Sequence, residues 1–254
     1  MPEVYDRRLG PAVFRPFAVD LARRVARLAP ARILEVAAGS GIGTRELVDT
    51  VPGAALVATD LNPAMAAWGV RTVPEAQWAV ADAQHLPFAD GRFDLVVCQF
   101  GAMFFPDRPA AFAQAHRVLA PDGRLLFTTW DTVERHGFAR ALVAGLREAF
   151  PDDPPPFVVA VPHGYHDPER IRADVEAGGF TAVEIETVTC TGHASSAADI
   201  AVGFCTGSPL RAGIESRGDL AAATAVVERA VERDLGTGPI MADMTAHVVT
   251  GRRG

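Results

Sequence analysis

Three short stretches of this chain end in residues that can do chemistry together. The first, Ile33-Leu34-Glu35-Val36-Ala37-Ala38-Gly39-Ser40-Gly41-Ile42-Gly43-Thr44, passes from an apolar strand into a turn with almost no side chains and then into a helix start. A ligand can lie directly on backbone of this kind, and a nucleotide-like one is implied, although glycine turns of this shape also join strands to helices and bind nothing. The second ends in Asp60, 21 residues after Gly39, from where a carboxylate can accept both hydroxyls of a ribose. Asp60 also precedes Leu61-Asn62-Pro63, so it can equally cap the helix that begins near Pro63. In the third, Ala81-Asp82-Ala83-Gln84, Asp82 can accept from an adenine amino group while the Ala83 amide donates to the ring edge. The plainer alternative there is a surface turn before Leu86-Pro87-Phe88.

The elements that must position these groups follow from periodicity. Strands are predicted at 32–37, 55–60, 76–82, 93–100 and 124–130, separated by amphipathic stretches at 44–51 and 109–119 that each stop at a Pro or Gly breaker. That alternation is the signature of βαβ units and a mainly parallel sheet. A lead-in helix over 18–28 turns Val19, Leu21, Ala22, Val25, Ala26 and Leu28 one way and Arg23, Arg24 and Arg27 another. After Asp131 a helix (138–149), a Pro-rich covering loop (151–157), a short helix (167–179) and a strand (181–190) follow. Residues 193–238 read as two helices and 240–251 as a last strand. The fold class is therefore α/β, with seven strands. One domain is expected: an N-terminal helical cover (1–30), a ligand-binding core (31–131), substrate-side cover (132–180 and 192–238) and the last strands (181–191 and 239–251).

Composition narrows the partners. The 254 residues are 49% hydrophobic and 22% charged, which excludes a disordered chain. All 24 basic residues are Arg, and 31 acidic residues leave a formal charge of −7, so a polyanion is repelled on balance and nucleic acid is not an expected partner. No stretch has the roughly 18–20 apolar residues of a membrane helix, and the start, MPEVYDRRLGPAVF, has no basic and apolar leader, so a cytoplasmic protein is expected. Cys98, Cys190 and Cys205 are far apart and without a CxxC pair, and no His/Asp/Glu cluster has ligand spacing: reduced packing thiols and no metal are the expectation.

Together, ILEVAAGSGIGT, VATDLNPAM, VADAQHLPFADGRFDLVVCQFGAMFFPD and HRVLAPDGRLLFTTWD resemble the class I S-adenosylmethionine-dependent methyltransferases, in the branch that resembles ubiquinone/menaquinone-type C-methyltransferases. The resemblance covers roughly residues 33–131 and implies a Rossmann-like fold with helices on both faces of the sheet, helical lid insertions, and S-adenosyl-L-methionine as cofactor. It implies that Glu35 orders the glycine loop and the methionine end of the cofactor, that Ala37 and Gly39 offer carbonyls to its amino group, and that Gly41 is among the cofactor-binding residues. It further implies Asp60 on the ribose, Leu61 and Met65 about the adenine, Asp82 and Ala83 on its edge, and Gln99 with Phe100 beneath the sulfonium. Ala37 stands where the usual loop has its first glycine, tolerable if its backbone keeps a negative φ.

The expected activity is methyl transfer to carbon or oxygen of a small, apolar or aromatic metabolite, with Tyr5, Met103, Phe104, Trp130 and His166 as candidate pocket residues. A general base is needed only if the acceptor must lose a proton; His136 and His166 are the candidates, with His163 nearby. Two other readings stay open: an NAD(P)-dependent oxidoreductase, disfavoured because Thr44 stands where G-x-G-x-x-G needs its third glycine, and a binding module that keeps the cofactor fold without catalysis.

Overall fold

A computed structural model describes residues 2–254. Strands β1 (Arg32–Val36), β2 (Ala55–Asp60), β3 (Gln77–Val80), β4 (Phe93–Gln99), β5 (Leu119–Trp130), β6 (Thr181–Ala194) and β7 (Ile240–Arg252) form one seven-stranded sheet in the order β3-β2-β1-β4-β5-β7-β6. The first five are parallel, with Ile33 beside both Leu56 and Leu95, and β7 runs antiparallel to β5. β6 is antiparallel to β7 as well, since Thr187 bonds His247, Thr189 bonds Thr245 and Thr191 bonds Asp243, one number rising as the other falls.

The strands expected from sequence are present with small shifts at their ends. β3 stops at Val80, leaving Asp82 in the following turn, whereas β5 starts at Leu119 rather than Arg124. There Leu119 pairs with Phe93 before an irregularity, and Asp122 takes a φ of +63°, so Pro121-Asp122-Gly123 interrupts the pairing without ending the strand. Five helices open on a short polar cap: Asn62 for α4 (Pro63–Thr72), Asp107 for α5 (Arg108–Val118), Asp167 for α8 (Pro168–Ala177), Ser196 for α9 (Ala197–Gly207) and Asp219 for α11 (Leu220–Leu235). The two helices expected over 193–238 are three, because Ser208-Pro209 separates α9 from α10 (Leu210–Glu215) and Gly218-Asp219 separates α10 from α11.

The chain falls into two compact units. The core unit comprises residues 18–130, 165–188 and 246–254. Its interior under β1 gathers Leu21, Ala22 and Val25 of α2 (Arg15–Leu28) with Ile33, Leu47, Leu56, Leu95, Val97, Leu126 and Val248. Buried on both faces, these parallel strands read as continuous apolar runs. Arg24 does not face solvent alone: its guanidinium takes Asp20 at 2.7 Å and Glu186 at 2.7 and 3.0 Å. Trp78 lies under Gly69 of α4, where an added Cβ would come within 2.3 Å of the indole.

The second unit holds the described residues up to Phe17, Asp131–Gly164 and Thr189–Thr245. Its N-terminal stretch is helical throughout. A turn at Pro2–Val4 leads into ten residues of π-helix, Tyr5–Phe14, and then into α2, so the lead-in helix begins well before the expected Ala18. Gly10 and Pro11 hide the helix from a sequence reading. The wider winding is recorded by the stacking of Tyr5 on Phe14 at 5.0 Å, since residues nine apart stand about two and a half turns apart, on opposite sides, in an α-helix. Gly203 and Gly207 of α9 admit this stretch, with Leu9 within 2.6 Å and the Tyr5 backbone within 3.1 Å of where their Cβ atoms would be. Gly145 likewise lets α6 (Gly137–Ala149) approach the Val227 backbone of α11.

Gly69→Ala should lower unfolding stability by about 1–3 kcal/mol through overpacking against Trp78 and alter native tryptophan fluorescence. Gly236→Ala, at φ +101° and ψ 172° with open space around it, should cost about 1–3 kcal/mol of backbone strain and leave the fluorescence alone. Urea titrations of the two variants read both quantities; unchanged emission in Gly69→Ala would contradict the packing account.

Candidate functional site

The site grows from the carboxyl end of β1 in the core unit. Glu35 is 1% exposed, and its Oε2 accepts from the Thr44 hydroxyl at 2.6 Å, one turn into α3 (Ile42–Thr50). A Cβ at Gly43 would stand 2.5 Å from Glu35 Oε1 and 2.9 Å from Gln99 Oε1, so the absent side chain is what lets the carboxyl of β1 and the carboxamide of β4 converge on the helix start. Burial, with the charge of Asp60 adding to it, pushes the Glu35 carboxyl up to about 8 against the opposing Thr44 bond.

The turn between β1 and α3 is left-handed at three places: Ala37 at φ +54°, Gly39 at +59° and Gly41 at +91°. The expectation that Ala37 keeps a negative φ is therefore corrected. The turn needs the glycine conformation there, and an alanine in it carries roughly 1–2 kcal/mol of strain. Its methyl is accommodated by Gly101 after β4, where any Cβ would lie 2.5 Å from Ala37 Cβ and 2.8 Å from Cys98 Sγ. Gly39 has nothing within 4 Å of where a Cβ would be, so the turn presents bare backbone to open space.

Asp60, at the end of β2, is held at both oxygens: Gly39 N–H donates to Oδ2 at 2.8 Å and Asn62 N–H to Oδ1 at 2.8 Å. Burial pushes its carboxyl up while those two amides pull it down. The cap of α4 is Asn62, whose Oδ1 accepts from Ala64 N–H at 2.9 Å, so Asp60 is released from the capping role the sequence left open. Beside it Leu61 is 68% exposed and Met65 half-buried, an apolar pair at the mouth of the turn. Asp82 accepts from Gln84 N–H at 2.9 Å, which holds its carboxyl below the usual range, and Ala83 is buried next to it. Gln84 in turn accepts from Asp107 N–H at 3.0 Å, tying this turn to the start of α5.

Past Gln99, Phe100 takes a φ of +53°, and its N–H donates to Thr128 O at 3.1 Å and Thr128 Oγ1 at 3.2 Å. Its ring stacks on Trp130 at 3.7 Å and 10°. A bulky residue in the left-handed region persists only where its surroundings over-determine it, and strain of this kind clusters at ligand sites. Met103 is buried and Phe104 is 46% exposed, so the Met-Phe run divides between packing and surface.

The core unit thus brings together Glu35, Ala37, Gly39, Gly41, Asp60, Leu61, Asp82, Ala83, Gln99 and Phe100 on strand ends and the turns that follow them, and Met65 in the first turn of α4, with Met103, Phe104, Trp130 and a half-buried His166 in the same unit. Tyr5 and His136 belong to the second unit. There His136 Nδ1 accepts from Ala139 N–H at 3.2 Å and caps α6, which places its proton on Nε2, and its ring packs edge-on against His163 at 5.4 Å. Burial lowers the His136 pKa well below 6.5, and His163 Nδ1 donates to Asp131 O at 2.7 Å. Sequence reasoning missed Thr44, Thr128 and Gly101; they form no local motif with the groups they serve. Asn62 before Pro63 was a readable capping signal. Among the described residues no helix is long and apolar enough to cross a membrane.

A family described as "Methyltransferase domain" matches residues 34–127. Malonyl-[acyl-carrier protein] O-methyltransferase of Geobacter sulfurreducens is 36% identical over 166 residues, 61% of this chain and 58% of the relative. Demethylmenaquinone methyltransferase of Mycolicibacterium vanbaalenii is 32% identical over 178 residues, 66% of this chain and 76% of the relative. The chain spans between about half and three fifths of the length of the first curated relatives it matches. Among solved structures, the phosphoethanolamine N-methyltransferase 2 of Haemonchus contortus superposes with a TM-score of 0.60 at 18% identity, over 99% of this chain and 56% of that one, which shows the shared fold.

A carboxyl raised to about 8 stabilises the fold in its protonated form, a contribution complete below the ordinary value of 4.5 and lost as pH rises through 8. Urea midpoints should therefore fall between roughly pH 5 and pH 8 in the wild type and stay flatter in Glu35→Gln; parallel pH profiles would refute the assignment. Ala37→Gly should raise the unfolding midpoint, by an amount worth up to about 1 kcal/mol, because the strained alanine is relieved.

Proposed function

This chain belongs to the class I S-adenosylmethionine-dependent methyltransferases, and we propose that it transfers a methyl group to carbon or oxygen of a small, apolar or aromatic metabolite. The observation that carries the reading is the Asp60 carboxylate, fixed at both oxygens by backbone amides beside the bare backbone of Gly39. A carboxylate so held is pre-organised to accept a pair of hydroxyls, and the open space over Gly39 leaves room for the molecule that carries them.

The residues present fit an adenosyl ligand from end to end. Asp60 takes the ribose, Leu61 and Met65 flank the adenine, whose exposure of apolar surface at Leu61 suits a planar partner, and Asp82 with Ala83 reads the adenine edge. Glu35 holds the glycine turn through Thr44, the carbonyls of Ala37 and Gly39 serve the amino group, and Gln99 with Phe100 lies beneath the sulfonium. When bound, S-adenosylmethionine supplies a methyl group that is already strongly electrophilic. The protein's own contribution is then positional: aligning acceptor with methyl and excluding water, for which effective molarities reach about 10⁵ to 10⁸ M. The stacked Phe100 and Trp130 provide a flat, apolar wall for that purpose, continued by Met103 and Phe104.

We keep His166 as the candidate base for an acceptor that must lose a proton. His136 is a weaker candidate than its sequence position suggested, with one ring nitrogen committed to capping α6 and the ring held neutral by burial. We also retain the single-domain organisation, a small-molecule acceptor, and a cytoplasmic setting without nucleic acid or membrane partners. Each unit is assembled from three chain segments that interleave along the sequence, an arrangement that suits one domain better than two joined by a linker.

Calorimetry with S-adenosylmethionine tests the reading. The purified chain should bind it, and Asp60→Ala should bind roughly ten- to a hundredfold more weakly, the worth of hydrogen bonds to a charged group. Tight binding of NAD(P)H in its place would establish the oxidoreductase alternative, and cofactor binding without methyl transfer to any acceptor would favour the binding module.

A further inference from the structure

The connection from β3 to β4 differs from the others between the parallel strands. Helices α3, α4 and α5 bridge β1 to β2, β2 to β3 and β4 to β5, whereas residues 81–92 carry neither helix nor strand. In the order β3-β2-β1-β4 they must pass over two strands, a step of roughly 14 Å at the usual strand spacing. A helix would satisfy the backbone of such a crossover from within; here its carbonyls need partners from elsewhere. β3 supports the segment from one side alone, since as an edge strand it pairs only with β2, from Gln77 to Val80. Yet this segment carries Asp82 and Ala83, the two groups assigned to the adenine edge.

Arg117, in the last turn of α5, supplies those partners. Its Nη2 donates to Leu86 O at 2.8 Å, and its Nη1 to Phe88 O and Asp90 Oδ1, both at 2.7 Å. Gln114, one turn earlier, accepts from Nη2 at 2.9 Å and from Nε at 3.3 Å, so all five donors of the guanidinium are used and its plane is set. The Arg117 carbonyl in turn accepts from Gly91 N–H at 3.1 Å. One residue thereby fastens the segment at positions 86, 88, 90 and 91. The Asp90 pair is exposed and adds little; the two backbone carbonyls are what the planar fork is shaped to hold. At the other end of α5, Asp107 N–H donates to Gln84 Oε1 at 3.0 Å. Asp82 lies just upstream of these fastenings and is closed against them, its Oδ1 accepting from Gln84 N–H and its carbonyl from His85 N–H, each at 2.9 Å.

We propose that Arg117 is the positioning residue of the turn that carries Asp82 and Ala83, and so sets how strictly the cofactor site demands a 6-aminopurine. Hydrogen bonds to a base edge form only within about 2.7–3.2 Å, and a crossover without a helix holds that tolerance only if something outside it fixes the backbone. Arg117 acts through the turn and not on the cofactor itself. The inference rests on the adenosyl reading of the same sheet edge.

Calorimetry on the full chain with S-adenosylhomocysteine, and with S-inosylhomocysteine, in which a 6-oxo group replaces the 6-amino group, reads the discrimination as a ratio of affinities. The wild type should prefer the adenosyl compound by roughly tenfold or more, since the oxo base turns an acceptor toward Asp82 and an N–H toward the Ala83 amide. Arg117→Gln should bind S-adenosylhomocysteine roughly tenfold more weakly and S-inosylhomocysteine within about threefold of the wild type, so that the ratio narrows. A merely structural role would lower the unfolding midpoint and scale both affinities together. Arg117→Lys keeps the charge but cannot span two carbonyls, and should narrow the ratio as well. If the Arg117 variants fail to fold, Gln114→Ala, which frees the guanidinium without removing it, must show the narrowing. An undiminished ratio in a folded variant overturns the proposal. A wild type that binds both compounds equally overturns the adenine-edge role of Asp82 and Ala83 and the proposal with it, and one that binds neither overturns the enzymatic reading itself.

Discussion

A fully buried carboxyl at the end of β1 sets the geometry of everything around it. Glu35 can be withdrawn from water because Thr44 donates to it at 2.6 Å and because Gly43 offers no Cβ to stand between it and the helix start. Burying a carboxyl without such a partner costs several kcal/mol, so the bond and the glycine are conditions for the turn. Once β1 is pinned to α3 in this way, the intervening residues must cover a short span and adopt left-handed conformations at Ala37, Gly39 and Gly41. The amide of Gly39 then has one direction available to it, and Asp60 lies there.

Two of the five non-glycine residues with positive φ among the described residues stand just past strand ends at the site. Ala37 and Phe100 both hold positive φ values that cost L-residues energy, and they come from neighbouring strands, β1 and β4. Gly101 links them, since its missing side chain is the space the Ala37 methyl occupies. The loss of one glycine at position 37 is thus matched by the presence of another at position 101, far away in sequence. Phe100 is held in place by two acceptors on Thr128 and by the face of Trp130.

The two candidate histidines show why residue type alone is a poor guide to role. His136 and His166 are alike as sequence symbols, yet His136 is enclosed, neutral and employed as a helix cap, whereas His166 is half-buried in the core unit. The Pro-rich stretch expected as an extended loop over 151–157 carries neither helix nor strand up to Pro155, but Pro156 already has a helical backbone (φ −79°, ψ −8°) and opens the helical turn Phe157–Ala160. The π-wound Tyr5–Phe14 was unreadable for a different reason: its period is neither that of an α-helix nor that of a strand, and it is held by contacts with the glycines of α9 some two hundred residues away.

From the order of residues alone came the alternation of strands and crossover helices, the glycine turn, and the acids at the ends of β1 and β2 and in the turn after β3, because period, backbone freedom and strand-end position are local properties. What needed the tertiary structure were the relations between distant segments: Asn62 rather than Asp60 capping α4, Gly101 making room for Ala37, Thr44 satisfying Glu35, and Arg117 holding the carbonyls of Leu86 and Phe88. A capping choice or a carbonyl's partner is decided by which atoms lie within about 3 Å, and chain folding brings those atoms together without leaving a trace in spacing.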